Sequence, residues 1–210
     1  MEVVAFTYHD PDDLFANCYL LRDSDNACVV IDPSVDGSGI VDYINKNHLV
    51  LKGILLTHGH FDHIRGVNRL LKDFKVDVFV GVDDVELLHD PSLNCSSFYK
   101  KAITVDINPV PLFDGETINV LDEPIKVIYT PYHTSGSVSF FLKESKMVFS
   151  GDSLFKSMVG RSDLPTSRPR LRKESLQKLL ELDDEIKVYP GHGKSTTIGE
   201  ERKNNPFIYR

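Results

Sequence analysis

Four apolar runs in this chain each end in a turn carrying a histidine or an aspartate, and that repetition constrains the fold more than any single run does. Ile54-Leu55-Leu56 leads into Thr57-His58-Gly59-His60-Phe61-Asp62-His63, and Val127-Ile128-Tyr129 into Thr130-Pro131-Tyr132-His133. Met147-Val148-Phe149 leads into Ser150-Gly151-Asp152, and Ile186-Lys187-Val188-Tyr189 into Pro190-Gly191-His192. The strand ends of one sheet converge along one edge, where rigid strands hold the following loops in register. One such end is unremarkable. Four together imply a single composite site at a sheet edge.

The ligand types define its chemistry. His58 and His60, two apart in an extended or turning segment, share a face and can grip one ion, while Asp62 and His63 on the next turn can reach a second. Imidazole combined with carboxylate suits zinc, iron or manganese rather than calcium or magnesium. Adding His133, Asp152 and His192 gives seven ligands, whereas His9, His48 and His89 lie in polar surroundings and read as surface residues. Seven is too many for one tetrahedral ion but suits two ions sharing a bridging carboxylate, for which Asp152 is the natural choice. Two metals about 3.5–4 Å apart can share a water, lower its pKa toward neutrality and polarise a carbonyl oxygen. The implied reaction is hydrolysis of an electrophilic carbonyl or phosphoryl group.

Bulk properties narrow the setting. The chain has 210 residues and is most simply read as one domain. A net charge of −7 argues against a general nucleic-acid binder. No apolar stretch approaches the roughly 20 residues that span a bilayer, and Met1 to Phe6 has neither the basic start nor the apolar core of a signal peptide. Cys18, Cys28 and Cys95 are odd in number and form no CxxC pair, so they read as reduced thiols in a cytoplasmic protein. Cys18 and Cys28 sit inside apolar runs, as buried core residues do.

Between the four site-bearing runs, Asn17 to Leu21 and Ala27 to Ile31 read as neighbouring strands, and Asp77 to Val80 and Val138 to Leu142 as further ones. Helical patterns are expected at 40–44, at 64–74, at 83–88 and at 171–180. Strands with interspersed helices imply layered sheets covered by helices.

The HxHxDH segment, the TPxHTxG segment at Thr130 to Gly136, the Ser150-Gly151-Asp152 turn and the Pro190-Gly191-His192-Gly193 turn resemble the metallo-β-lactamase superfamily. Gly160-Arg161-Ser162-Asp163-Leu164-Pro165, and Thr196 to Glu201 followed by Asn205-Pro206-Phe207, resemble its short hydroxyacylglutathione hydrolase (glyoxalase II-like) group. The resemblance implies an α+β fold, a four-layered αββα sandwich with metals at one edge of its two sheets. It further implies that His58, His60 and His133 hold the first ion, that Asp62, His63 and His192 hold the second, and that Asp152 bridges them. Zinc is the first choice of metal, with iron and manganese also fitting.

Three departures shape the expected substrate site. Tyr132 stands where the group usually has glycine, so it either reaches substrate or packs on the sandwich edge. Thr166-Ser167-Arg168-Pro169-Arg170, with Arg172 and Lys173, replaces the usual glycines by a basic stretch at 168–173. With Arg161, residues Arg168 and Arg170 are candidates to attract an anionic thioester, although a solvated loop is the blander reading. A single domain at 1–210 is the expectation, without the C-terminal helical domain that supplies thiol-substrate contacts in long glyoxalase II enzymes. The activity implied is hydrolysis of an S-2-hydroxyacylglutathione such as lactoylglutathione, with Asp62 and Asp152 as catalytic carboxylates. An iron-dependent persulfide dioxygenase on the same scaffold competes with it, but such enzymes commonly show PAHD at the Pro190-Gly191-His192-Gly193 position. A lactonase or other metallo-hydrolase is a third reading. The expected partner is a small molecule, with neither nucleic acid nor membrane.

Overall fold

In the computed structural model, which describes residues 1–8, 14–99 and 101–208, two mixed sheets pack face to face and carry helices on their outer faces. The first sheet has strands β1 (Glu2–Phe6), β2 (Cys18–Arg22), β3 (Ala27–Ile31), β4 (Val50–Leu55), β5 (Val78–Gly81) and β6 (Val110–Leu112) in chain order. Its first three strands are antiparallel, and β3 to β6 run parallel. The turn between β2 and β3 is closed by the Asp23 carboxylate, which accepts the N–H groups of Asp25 and Ala27 at 3.0 and 2.9 Å. An aspartate side chain that bonds its own downstream backbone fixes such turns.

The second sheet contains β7 (Thr117–Ile118), β8 (Ile125–Tyr129), β9 (Val138–Leu142) and β10 (Met147–Gly151), a small hairpin of β11 (Leu154–Phe155) and β12 (Met158–Val159) standing apart from it. It is completed by β13 (Lys187–Pro190) and β14 (Thr196–Thr197), in the spatial order β14-β13-β10-β9-β8-β7. Only β10 and β13 are parallel in this sheet.

Strands buried on both faces read as continuous apolar runs rather than alternating ones. In β3, Val29 and Ile31 point between the sheets toward Val127, Phe140 and Phe149. Val30 points outward, to Ile40 and Ile44 of helix α1 (Ser38–Lys46). On the far side, Ile128, Val148 and Val188 pack against Leu176 and Leu179 of a helix at Arg172–Leu180 and Ile198 of another at Ile198–Asn204. The expected αββα layering is therefore present.

Two expected helices take other forms. The segment 64–74 is split into α2 (Phe61–Ile64) and α3 (Val67–Asp73), because the Gly66 N–H is donated to the Pro33 carbonyl at 2.7 Å instead of continuing a helical ladder. Residues 82–88 form a 3-10 helix. The helices at Arg172–Leu180 and Ile198–Asn204 are α4 and α5. Cys18, Cys28 and Cys95 are all buried and unpaired, and His48 and His89 are exposed; His9 lies outside the described residues. Among the described residues no helix is long and apolar enough to cross a membrane.

Candidate metal centre

The four site-bearing strands end at one edge of the sandwich, with β4 in the first sheet and β8, β10 and β13 in the second. The composite site therefore straddles both sheets instead of lying on one. The register of β10 against β13 shifts between Phe149 and Gly151, and an irregularity of this kind re-aims the chain that follows it. Asp152 emerges from that irregularity. A Cβ on Gly191 would collide with the Asp152 carboxylate and with the ring of His63, so the backbone here passes where a side chain cannot.

Ligand atoms lie within 4.8 Å of one another inside each of three overlapping sets: His58, His60 and His133; His58, His63 and Asp152; and Asp62, His63 and His192. Asp152 lies between the outer two sets. Its Oδ2 is 3.4 Å from His133 Nε2 and 3.6 Å from His192 Nε2, and its Oδ1 is 3.4 Å from His63 Nε2. Asp62 Oδ2 is 3.1 Å from His192 Nε2.

The outward nitrogen of most rings is committed to the protein, which fixes the nitrogen that faces the centre. His63 Nδ1 lies 2.9 Å from Asp32 Oδ2, and His133 Nδ1 lies 2.8 Å from the Arg161 carbonyl oxygen. His58 Nδ1 is 3.2 Å from Thr57 Oγ1, whose hydroxyl proton is donated to Asp32 Oδ2 at 2.6 Å. Carboxylates and carbonyls behind histidines are the usual means of orienting metal-binding imidazoles. His60 turns its other nitrogen inward, Nδ1 lying 3.0 Å from His133 Nε2, and the inward atoms His58 Nε2, His63 Nε2 and Asp152 Oδ1 are buried without any hydrogen-bond partner. Buried polar atoms are normally satisfied, so several orphans in one place point to a cation. The donor set fits divalent transition metals.

Charge is balanced sharply within this small volume. Burial and the neighbouring histidines push His60 down to about 3, and burial, with His63 and His60 beside it, holds His58 well below its ordinary value. Burial works against the charged form of His63 too, but the carboxylates of Asp32, Asp62 and Asp152 raise it well above its ordinary value. Burial opposes ionisation of Asp152, yet His192, His63 and His133 hold its carboxyl well below the usual carboxylate range.

Two supporting carboxylates have no place among the seven residues singled out from the sequence. Asp32, at φ 49°, receives the Thr57 N–H at 2.8 Å in addition to its contacts with Thr57 Oγ1 and His63. It follows the apolar run of β3, so it obeys the same strand-end rule as the others, without a histidine to mark it. Asp84, fully buried in the 3-10 helix, joins the loop of His58 and His60 to the loop of His133 through Gly59, Thr134 and Gly136. The His192 loop is clamped by Asn17, whose Nδ2 donates to the carbonyls of Pro190 at 3.0 Å and Gly193 at 2.9 Å.

The expected substrate contacts need correction. Tyr132 is fully buried; its hydroxyl donates to the Ser153 carbonyl and accepts the Gly160 N–H at 3.0 Å, so it is a strut of the Gly160 loop and faces no substrate. Arg168 lines a separate groove with Asp83, Tyr129 and Pro131, and neither it nor Arg170 lines the cavity above the ligand cluster. The reason is local: the Arg168 N–H is donated to the Tyr132 carbonyl at 2.9 Å, and this turns the basic stretch away from the mouth. Arg161 does line the cavity, although its guanidinium is paired with Asp163 at 2.7 and 2.9 Å.

A sandwich of this layering with a histidine–aspartate cluster at its edge defines a class, and sequence comparison agrees: residues 11–192 match the metallo-beta-lactamase superfamily, to which the chain belongs. This is a family of metallo-hydrolases that bind divalent metals. The chain is 35% identical over 196 residues to the probable metallo-hydrolase YqgX of Bacillus subtilis, covering 92% of each. It is 31% identical over 201 residues to the hydroxyacylglutathione hydrolase GloC of Haemophilus influenzae, covering 91% of this chain and 92% of the relative. Among solved structures, the BLEG-1 B3 metallo-beta-lactamase superposes with a TM-score of 0.92 at 32% identity over all of both chains. TTHA1623 in a di-iron-bound form superposes at 0.85 with 32% identity, covering 99% of this chain and 100% of its own.

Proposed function

We propose that this chain is a dinuclear metal-dependent thioesterase of the S-2-hydroxyacylglutathione type. His58, His60 and His133 would hold one divalent ion and Asp62, His63 and His192 a second, with the Asp152 carboxylate placed to serve both. The observation that carries the reading is the set of orphaned atoms, His58 Nε2, His63 Nε2 and Asp152 Oδ1, buried among overlapping ligand groups, with His60 Nδ1 turned to within 3.0 Å of His133 Nε2. Two divalent ions, when bound, lower the pKa of water toward neutrality and polarise a carbonyl oxygen. Asp62 orients the attacking water by accepting its hydrogen bond, and the buried imidazoles keep their outer N–H groups on Asp32, Thr57 and the Arg161 carbonyl throughout. A thiol of pKa about 8.5 departs readily as thiolate, so the site needs no strong general acid. The similarity to a hydroxyacylglutathione hydrolase supports the thioester class.

One further reading has an observation of its own. His58, His63 and Asp152 form a group of two histidines and one carboxylate, the ligand type of non-haem iron oxygenases, which suits a persulfide dioxygenase. Metal analysis combined with an anaerobic assay on lactoylglutathione separates the two. The thioesterase reading expects two metal ions per chain and release of thiol without oxygen. A single iron, with oxygen uptake on glutathione persulfide and no anaerobic turnover, overturns it.

A further inference from the structure

We propose, resting on the thioesterase reading, that the acyl group this site accepts is bulky and apolar, larger than the methyl-bearing lactoyl group, and is carried on an anionic thiol. A cavity of about 730 Å³ opens over His60, Asp62, His133, Asp152 and His192. That volume is within the usual range of small-molecule sites, about 300–1,000 Å³. One part of its wall is Phe61, Phe98 and Tyr99, and another is Phe155, Met158 and Val159 of the β11–β12 hairpin.

Both parts of the wall reach the ligands themselves. Phe61 follows His60 directly and lies 4.3 Å from the Tyr99 ring, and Phe155 meets the His192 ring edge-on at 6.1 Å. Four of the nine large apolar side chains exposed on the described surface, Leu14, Phe98, Tyr99 and Met158, line this one cavity. Phe98 is 73% exposed and Met158 55% exposed. Scattered exposed apolar residues carry no meaning, whereas their concentration at the mouth of a polar site marks a surface that gains by being covered.

Hydrogen-bonding side chains on these walls, outside the ligand cluster, are few: Tyr99, Cys95, Lys156, Arg161 and Lys194. A small hydroxylated acyl group would leave the aromatic wall facing water. An aryl or branched alkyl group would cover it. The cations take the other end of the substrate. Lys156 and Lys194 are exposed and make no ion pair among the described residues, so the cavity of this acidic chain carries unneutralised positive charge where a carrier's carboxylates would lie.

The test holds the carrier constant and varies the acyl group. The metal-loaded protein is assayed with the glutathione thioesters of lactate and of phenyllactate. Differences of even one methylene in an apolar pocket are worth about 10- to 200-fold. The phenyllactoyl thioester should therefore be favoured in kcat/KM by roughly tenfold or more. In the double variant Phe98→Ser, Met158→Ser that ratio should collapse toward one, with Tm reported to show that the fold is kept. Equal or better turnover of the lactoyl thioester overturns the inference while leaving the thioesterase reading standing. So does a double variant that is folded and keeps the full preference. If the protein binds two metals and releases thiol from neither thioester, the thioesterase reading fails. Calorimetric binding of the free acids then decides the inference alone. Phenyllactate binding about tenfold tighter than lactate upholds the apolar pocket, and equal binding overturns it.

Discussion

The Oδ2 of Asp84 accepts the N–H of Gly59 at 2.9 Å, so a fully buried carboxylate is bonded to the backbone between His58 and His60. The same oxygen accepts the Thr134 hydroxyl at 2.6 Å, and Oδ1 accepts the Gly136 N–H at 2.7 Å. Thr134 is adjacent to His133. One side chain thus sets the separation of the two loops that supply the first ligand group. Burial pushes the Asp84 carboxyl up, against the pull of Thr134, Gly59 and Gly136, which favour its charge.

Asp84→Ala leaves the Gly59 and Gly136 N–H groups without an acceptor, while the Thr134 hydroxyl still has Ser137 Oγ at 2.7 Å. Each unsatisfied buried group costs about 1–3 kcal/mol, so the variant should lose roughly 2 kcal/mol or more of stability. Because Gly59 and Thr134 flank His58, His60 and His133, the first metal should be lost before the second. Urea unfolding and metal content of the purified variant check both. An alanine variant with full stability and both metals would show that the tie is decorative.

Asp152→Ala removes the carboxylate that lies against His63, His133 and His192 together. Activity should fall to background, and metal content to one ion per chain or fewer. Asp62 cannot replace it, since its Oδ2 is already 3.1 Å from His192 Nε2. A purified variant that keeps two ions and near-normal turnover would sink the dinuclear assignment.

The metal-free protein should lose stability on acidification through a window set by His60. Burial and His133 lower this group from an ordinary 6.5 to about 3, so it stays neutral in the fold while the unfolded chain takes up a proton. A group with a depressed folded value contributes stability that is present above pH 6.5 and is lost as pH falls toward 3. The slope is about 1.4 kcal/mol per pH unit for one such proton. His58, also lowered, adds to it, whereas His63 and His192 are raised and act in the opposite sense, losing their contribution as pH rises above 6.5. In the chelated protein, unfolding free energy measured by urea should drop between pH 6.5 and 4.5, and His60→Gln should flatten the drop. An unchanged slope in His60→Gln would mean that this imidazole is not the group resisting protonation.

The seven clustered residues were legible because each follows an apolar strand, a pattern written in the local sequence. Strand β9 was legible to the residue, since its apolar run is bounded by turns on both sides. The short β6, β7, β11 and β12 were not, having two or three residues each and no period to read. The αββα layering came through resemblance to a family. Asp84 was hidden for a different reason. Nothing in Asp83-Asp84-Val85-Glu86 distinguishes a solvated helical acid from one that accepts three hydrogen bonds across two loops, because the partners are 25, 50 and 52 residues away. Tyr132 and the arginines at 168 and 170 stayed open between a substrate contact and a structural or solvated place for want of the same information: side-chain direction at a strand end is decided by the neighbouring loop.

That direction yields the last prediction. Arg168 belongs to the groove beside Asp83 and Tyr129, and Arg170 is exposed on the 3-10 helix Pro169–Leu171, outside the cavity over the ligand cluster. Charge at that position acts on a substrate only through solvent, where screening sets in over about 8 Å at physiological ionic strength. Arg168→Glu, Arg170→Glu should therefore change KM for an anionic thioester by less than about twofold and leave kcat unaltered, with no change in salt dependence. Lys156→Glu, Lys194→Glu, at the cavity itself, should raise KM several-fold for the same substrate and steepen with dilution of salt. Steady-state kinetics of the two double variants at low and high ionic strength distinguishes them. A large KM effect from the pair at 168 and 170, with none from the lysines, would return the anionic end of the substrate to the basic stretch and displace it from the cavity rim.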